Sequence, residues 1–193
     1  MANVDKAFGL APYKGFNVAS AVGQVQKYNI ATGGYGTSIF QGDLCIFASG
    51  LINRAAAGSA NLVGVFSHCY YVATDGTPTF KNYYPASTTA LGSGAIEAYI
   101  YDDPNQLFVV QADGSSGQAA IGQNADTDGI GGSTTTGVST RELDSSSLAT
   151  TQALQLKVVS VVQDDINGDL TADNANLIVS INEHAYRGPV AGT

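Results

Sequence analysis

Two apolar runs near the end of the chain constrain its fold most. Leu154-Gln155-Leu156-Lys157-Val158-Val159-Ser160-Val161-Val162-Gln163 and Leu177-Ile178-Val179-Ser180-Ile181-Asn182-Glu183-His184 are rich in β-branched residues and alternate with a period of two, as strands do and helices do not. In the first run Leu154, Leu156, Val158, Ser160 and Val162 fall on one face, and Gln155, Lys157, Val159, Val161 and Gln163 on the other. In the second, Leu177, Val179 and Ile181 share a face. Asp164-Asp165-Ile166-Asn167-Gly168-Asp169 lies between them and is made of turn-forming residues. Such a pair predicts the centre of an antiparallel barrel or sandwich.

The rest of the body repeats the theme at short spacing. Leu44–Ala48, Ile52–Ala55 and Leu62–Val72 read as strands, and Gly64 marks a bulge or close approach inside the third. Ala95–Tyr101 and Gln106–Ala112 flank Asp102-Asp103-Pro104-Asn105 and predict a hairpin. The polar, glycine-bearing stretches at about 75–94 and 113–140 read as long loops. Within the second, 119–125 reads as a short helix or buried turn, and Gly129–Gly137 has too few apolar groups to pack by itself.

Residues 1–37 carry large side chains singly, between Gly and Pro, and form no periodic face. They predict an extended arm laid over either the chain's own body or a neighbouring subunit. The expected organisation is therefore an N-terminal arm (1–37), a single β-rich body (38–187) and a C-terminal tail (188–193). In fold class it is all-β: a compact antiparallel β-barrel or sandwich with an extended arm and long Gly/Ser/Thr-rich loops. Phe8, Leu10, Tyr13 and Phe16 in the arm are expected contact residues, because leaving them in water is unfavourable. Tyr83 and Tyr84 form a second expected patch, since Tyr supplies rigid amphipathic area.

Charge and cysteine content narrow the function. Eight basic against sixteen acidic residues give a formal charge of -8, and the cations are scattered, a poor match to a phosphate backbone. No apolar run reaches the roughly 18 residues of a membrane span, so neither nucleic acid nor membrane is an expected partner. Cys45 and Cys69 fit core positions in a reducing compartment rather than a disulfide.

Catalytic and metal-binding motifs are weak. Asn124-Ala125-Asp126-Thr127-Asp128-Gly129 opens like a calcium loop, but its twelfth position falls on Thr135 and no helices flank it. The segment around Asp165 lacks the required Gly, so both read as turns. His68-Cys69 is the one short-spaced ligand pair, and neighbours in a strand face opposite ways. No nucleophile elbow or phosphate loop is present. The expectation is a protein without catalytic residues, metal or cofactor.

Several segments, in order along nearly the whole chain, carry a resemblance. They include Ala2–Leu10, Gly42-Asp43, Arg54–Gly58 before Leu62–Val65, and Tyr99–Pro104 before Phe108–Gln111. Ile121–Asp126, Glu142–Asp144, Leu154–Lys157 and Leu177–His184 complete the set. Together they resemble the head decoration, or cement, proteins of tailed bacteriophages. The resemblance implies a non-enzymatic virion protein, made in the bacterial cytoplasm and seated on the outer surface of the capsid. It further implies the major capsid protein as partner, sites near threefold or quasi-threefold axes, and a homo-oligomer, with a trimer favoured over a dimer. The competing readings are a virion surface recognition module (lectin-like or fibre-associated) and a structural protein of the tail or neck.

Overall fold

The computed structural model describes residues 3–15 and 24–187. Phe16 and the tail 188–193 lie outside them. In chain order the strands are β1 (Ala11–Gly15), β2 (Val25–Ile30), β3 (Ile39–Phe40), β4 (Leu44–Ala48), β5 (Leu51–Arg54) and β6 (Leu62–Val72). Next come β7 (Pro78–Lys81), β8 (Tyr83–Tyr84), β9 (Ile96–Tyr101) and β10 (Gln106–Gln111). The last are β11 (Asn124–Ala125), β12 (Thr127–Asp128), β13 (Glu142–Leu143), β14 (Leu156–Val161) and β15 (Asn176–Ile181). Helical structure among the described residues is limited to three single turns of 3-10 helix. The all-β expectation holds.

One sheet has the order β1-β10-β15-β14-β11, with every neighbour antiparallel. The two C-terminal apolar runs are paired within it, as their pattern predicts. Leu156, Val158, Leu177, Val179 and Ile181 enter its core. A register shift between Val158 and Ser160 changes the phase, so Val161 turns inward where Ser160 and Val162 were expected. One extra residue in a strand moves every later side chain to the opposite face.

The second sheet has the order β2-β9-β6-β4-β5 and is organised by β6, at eleven residues its longest strand. Along one edge of β6, β4 takes the first half and β7 the second, while β9 runs along the other. The sheet curls until β2 and β5 approach each other, and Tyr28 meets Phe47 edge to face with centroids 5.4 Å apart. Gly64 supplies the predicted close approach: a methyl group there would land on the carbonyl oxygen of Tyr101.

Alternation along β4 and β6 feeds two cores. Leu44, Leu62 and Val65 pack with the first sheet around Phe108, Val110, Leu156 and Leu177. Cys45, Val63, Phe66, Cys69 and Tyr71 face the other way, with Ile30, Ile96, Ala98 and Ile100. That second core also contains Ile39 and Tyr84 of the β3–β8 pair.

Two expectations about connections need correction. Ile96–Tyr101 and Gln106–Gln111 are not hairpin partners. The first pairs with β2 and β6, the second with β1 and β15, and the Asp-Pro turn carries the chain from one sheet to the other. Both edges of each strand are already taken by distant segments, so the turn cannot join them. The 75–94 stretch is likewise no free loop, since it contributes β7 and β8.

The described part of the expected arm lies on its own body. Ala11–Gly15 pairs with β10, and Val25–Ile30 pairs with β9. Gly129–Gly137 is held by tertiary contact: Gly132 lies flat against the Phe40 ring and Gly137 against the Asn82 side chain.

Candidate contact surfaces and the buried polar network

The densest polar chemistry is internal. Asp43, in the turn before β4, accepts hydrogen bonds at Oδ2 from Phe40 N–H (2.8 Å) and at Oδ1 from the Ser139 hydroxyl (2.6 Å). Arg141, wholly buried, donates from Nη1 to Thr127 Oγ1 (2.6 Å) and from Nη2 to the Ala55 carbonyl (2.5 Å). Its Nε stands 3.8 Å from Asp43 Oδ1 and has no hydrogen-bond partner. Thr127 in turn donates to Gln155 Oε1 (2.7 Å), and Gln155 Nε2 donates to the carbonyls of Ala56 (3.0 Å) and Ser59 (3.2 Å). Gln155, expected on the outer face of its strand, is fully buried because these loop carbonyls require a donor.

Burial raises the Asp43 carboxyl, opposed by its two hydrogen bonds and the Arg141 charge. Burial likewise lowers Arg141 from its ordinary value. The network lies in the interior and joins the 126–141 segment to β4 and to the end of β5.

The acidic turns, the cysteines and His184 can be placed individually. Asp126 Oδ1 accepts from Gln155 N–H (3.2 Å), Asp128 Oδ1 from Gly129 N–H (2.7 Å), and Asp164 Oδ1 from Ile166 N–H (2.9 Å). Among the described residues no group of three or more His, Cys, Asp or Glu is arranged to hold a metal. Cys45 and Cys69 are free and buried, and burial pushes the Cys69 thiol up to about 12. His184 is buried; its Nδ1 accepts from Tyr186 N–H (3.1 Å), and its Nε2 has no partner. Burial, then the Arg187 charge, lowers it to about 4.

An aromatic surface forms on the outer face of the curled sheet. His68 stacks on Tyr99 (centroids 4.4 Å, 15° between planes) and meets Phe80 on its other side (4.7 Å). Phe80 is 65% exposed. Tyr70 stands opposite Phe80 and Glu97, and Glu97 pairs with Lys27 at 2.9 Å. In sequence Tyr99 is an ordinary residue of the 95–101 strand, and Phe80 falls in the 75–94 stretch that reads as a loop. Only the lateral order β7-β6-β9-β2 brings residues 80, 68, 99 and 27 into one row.

The predicted contact residues separate in the structure. Tyr13 is exposed, Phe8 and Tyr83 are half-buried, and Tyr83 stacks on Phe40 with centroids 5.6 Å apart. Leu10 and Tyr84 are corrected, because both are core residues at 1% and 0% exposure and present no surface. Tyr84 also donates its hydroxyl to the Tyr35 carbonyl (3.1 Å). Phe8 and Leu10, with Pro12, Phe66, Tyr101 and Val138, line a cavity of about 240 Å³ under the N-terminal segment. Compared with known protein families, curated proteins and solved structures, the chain matches none.

Proposed function

We propose that this chain is a non-enzymatic decoration protein of a tailed-bacteriophage head, binding the outer surface of the major capsid protein and reinforcing contacts between its subunits. The observation that supports it best is how the polar groups are used. The buried ones hold long loops and the N-terminal segment to a β frame, while Phe80 stands exposed beside the half-buried rings of His68, Tyr70 and Tyr99. A cement protein works through interface area rather than through a reacting site. The ordered resemblance along nearly the whole chain points the same way. On this reading Phe80, Tyr70 and Tyr13 contact the capsid, and a homotrimer matches a threefold site by symmetry.

Purified protein incubated with heads lacking it, then sedimented and imaged by electron cryomicroscopy, tests the proposal. Saturable binding and added density at symmetry axes are expected. Absence of binding, with attachment to a glycan array or to host cells instead, would establish the recognition-module reading, which draws on the same aromatic face.

A further inference from the structure

Residues 3–6 are held by a device separate from both hydrophobic cores. Asn167 is buried, and its side-chain amide faces Val4. Val4 N–H donates to Asn167 Oδ1 (2.9 Å), and Asn167 Nδ2 donates to the Val4 carbonyl (2.9 Å). Gln111, also buried, repeats the pattern. Its Oε1 accepts from Lys6 N–H (2.7 Å), and its Nε2 donates to the Val4 carbonyl (2.9 Å). Each amide thus presents one acceptor and one donor, the pair a neighbouring strand would present. Asn3 completes the grip by donating to the carbonyls of Asp169 (2.9 Å) and Asp173 (2.8 Å).

The clamp is fixed by the body. Asp164 Oδ1 accepts from the N–H groups of Ile166 (2.9 Å) and Asn167 (2.5 Å), and the Asn167 carbonyl accepts from Asn176 N–H (2.8 Å). Gln111 Nε2 also donates to the Asn174 carbonyl (3.2 Å). What the clamp holds is backbone: Val4 is 53% exposed, and Asp5 and Lys6 are exposed. The first fully buried apolar anchor is Leu10, preceded by Gly9 at φ +71°.

We infer that Asn167 and Gln111 form a receptor for an extended peptide backbone. Residues 3–6 of the same chain fill it when the molecule is isolated, and residues 3–6 of a second copy fill it when copies are crowded. A second copy carries the fitting segment by identity. Withdrawal of residues 3–6 removes no core side chain, and the segment 3–8, turning at Gly9, spans about 20 Å when extended. Exchange of an identical element is a low-cost route to association, and it competes with self-docking once local concentration reaches about a millimolar. The inference goes beyond the head-decoration reading and does not rest on it; a dense surface array would only supply the crowding.

The test uses full-length chains without capsids. Val4 and Ile166 are exposed and line one shallow groove. A tagged Val4→Cys chain is mixed at about millimolar concentration with a differently tagged Ile166→Cys chain, under oxidised glutathione. A disulfide-linked heterodimer is expected at no less than roughly tenfold the level given by Val4→Cys with a Leu91→Cys control, and a peptide of residues 1–8 should suppress it. Asn167→Ala in the Ile166→Cys chain should lower the yield about tenfold. Should that variant fail to fold, Asn3→Ala in the Val4→Cys chain provides the same readout. A dilute chain carrying both cysteines should close an internal bridge. Failure of that bridge, or heterodimer no higher than the control, overturns the inference.

Discussion

Arg141 and Asp43 face each other in the interior with neither side chain exposed, the guanidinium Nε 3.8 Å from the carboxylate Oδ1. The pair sits where the 126–141 segment meets β4, so it couples a segment with little apolar content to the frame. Arg141→Met alone should destabilise the fold by about 3–5 kcal/mol, since it leaves Asp43 charged and poorly compensated. Asp43→Asn with Arg141→Met should lose clearly less. Urea unfolding of the two single variants and the double variant measures this, and additive losses would contradict it.

Glycine positions give a sharper steric test. Gly64→Ala places a methyl group on the Tyr101 carbonyl oxygen between two central strands, and should cost about 3 kcal/mol or more. At Gly33 the same change meets no atom within 4 Å and should stay within about 0.5 kcal/mol of the parent. Thermal unfolding of both variants against the parent decides it.

The buried imidazole of His184 sets a pH dependence. Its folded pKa of about 4 lies below the ordinary 6.5, with the Arg187 charge adding to the effect of burial and the Asp103 charge opposing it. Between these values the unfolded chain binds the extra proton. The contribution is therefore fully present above 6.5 and is lost as pH falls toward about 4. The stability difference between the parent and His184→Gln should shrink by about 3 kcal/mol across that window. Denaturant titrations at several pH values would expose a flat difference, if there is one.

Tyr84 and Phe80, four residues apart, should behave oppositely. Tyr84→Ala removes a wholly buried ring and should lose about 3–5 kcal/mol of stability, with no surface contact to change. Phe80→Ala should cost under about 1 kcal/mol, yet weaken binding to undecorated heads about thirtyfold if Phe80 is an anchor. Calorimetry and a sedimentation binding assay separate the two.

Much of this fold was legible in the residues. The β-branched runs Leu156–Val161 and Asn176–Ile181 pair as their period implies, and Gly64 marks the crowded crossing that its missing side chain suggests. The candidate surface was legible only in part. Tyr13 and Tyr83 retain exposure, while Leu10 and Tyr84 do not. A large apolar residue between turn formers has the same appearance whether it docks on its own body or on another.

Alternation and turn chemistry act over a few neighbouring residues, so the long extended runs and their breaks are encoded locally, whereas the short strands Pro78–Lys81 and Tyr83–Tyr84 are not. Beyond the terminal pair, partner choice is a tertiary matter. Ile96–Tyr101 and Gln106–Gln111 adjoin in sequence yet enter different sheets, because segments far away hold their edges. Tertiary structure also decided that Arg141 and Gln155 are interior. Their burial is tolerated only because acceptors such as the Ala55 and Ala56 carbonyls, 86 and 99 residues away in sequence, converge on them. Hydrogen-bond satisfaction is a property of assembled space, and no local pattern in the terminal strand pair encodes it.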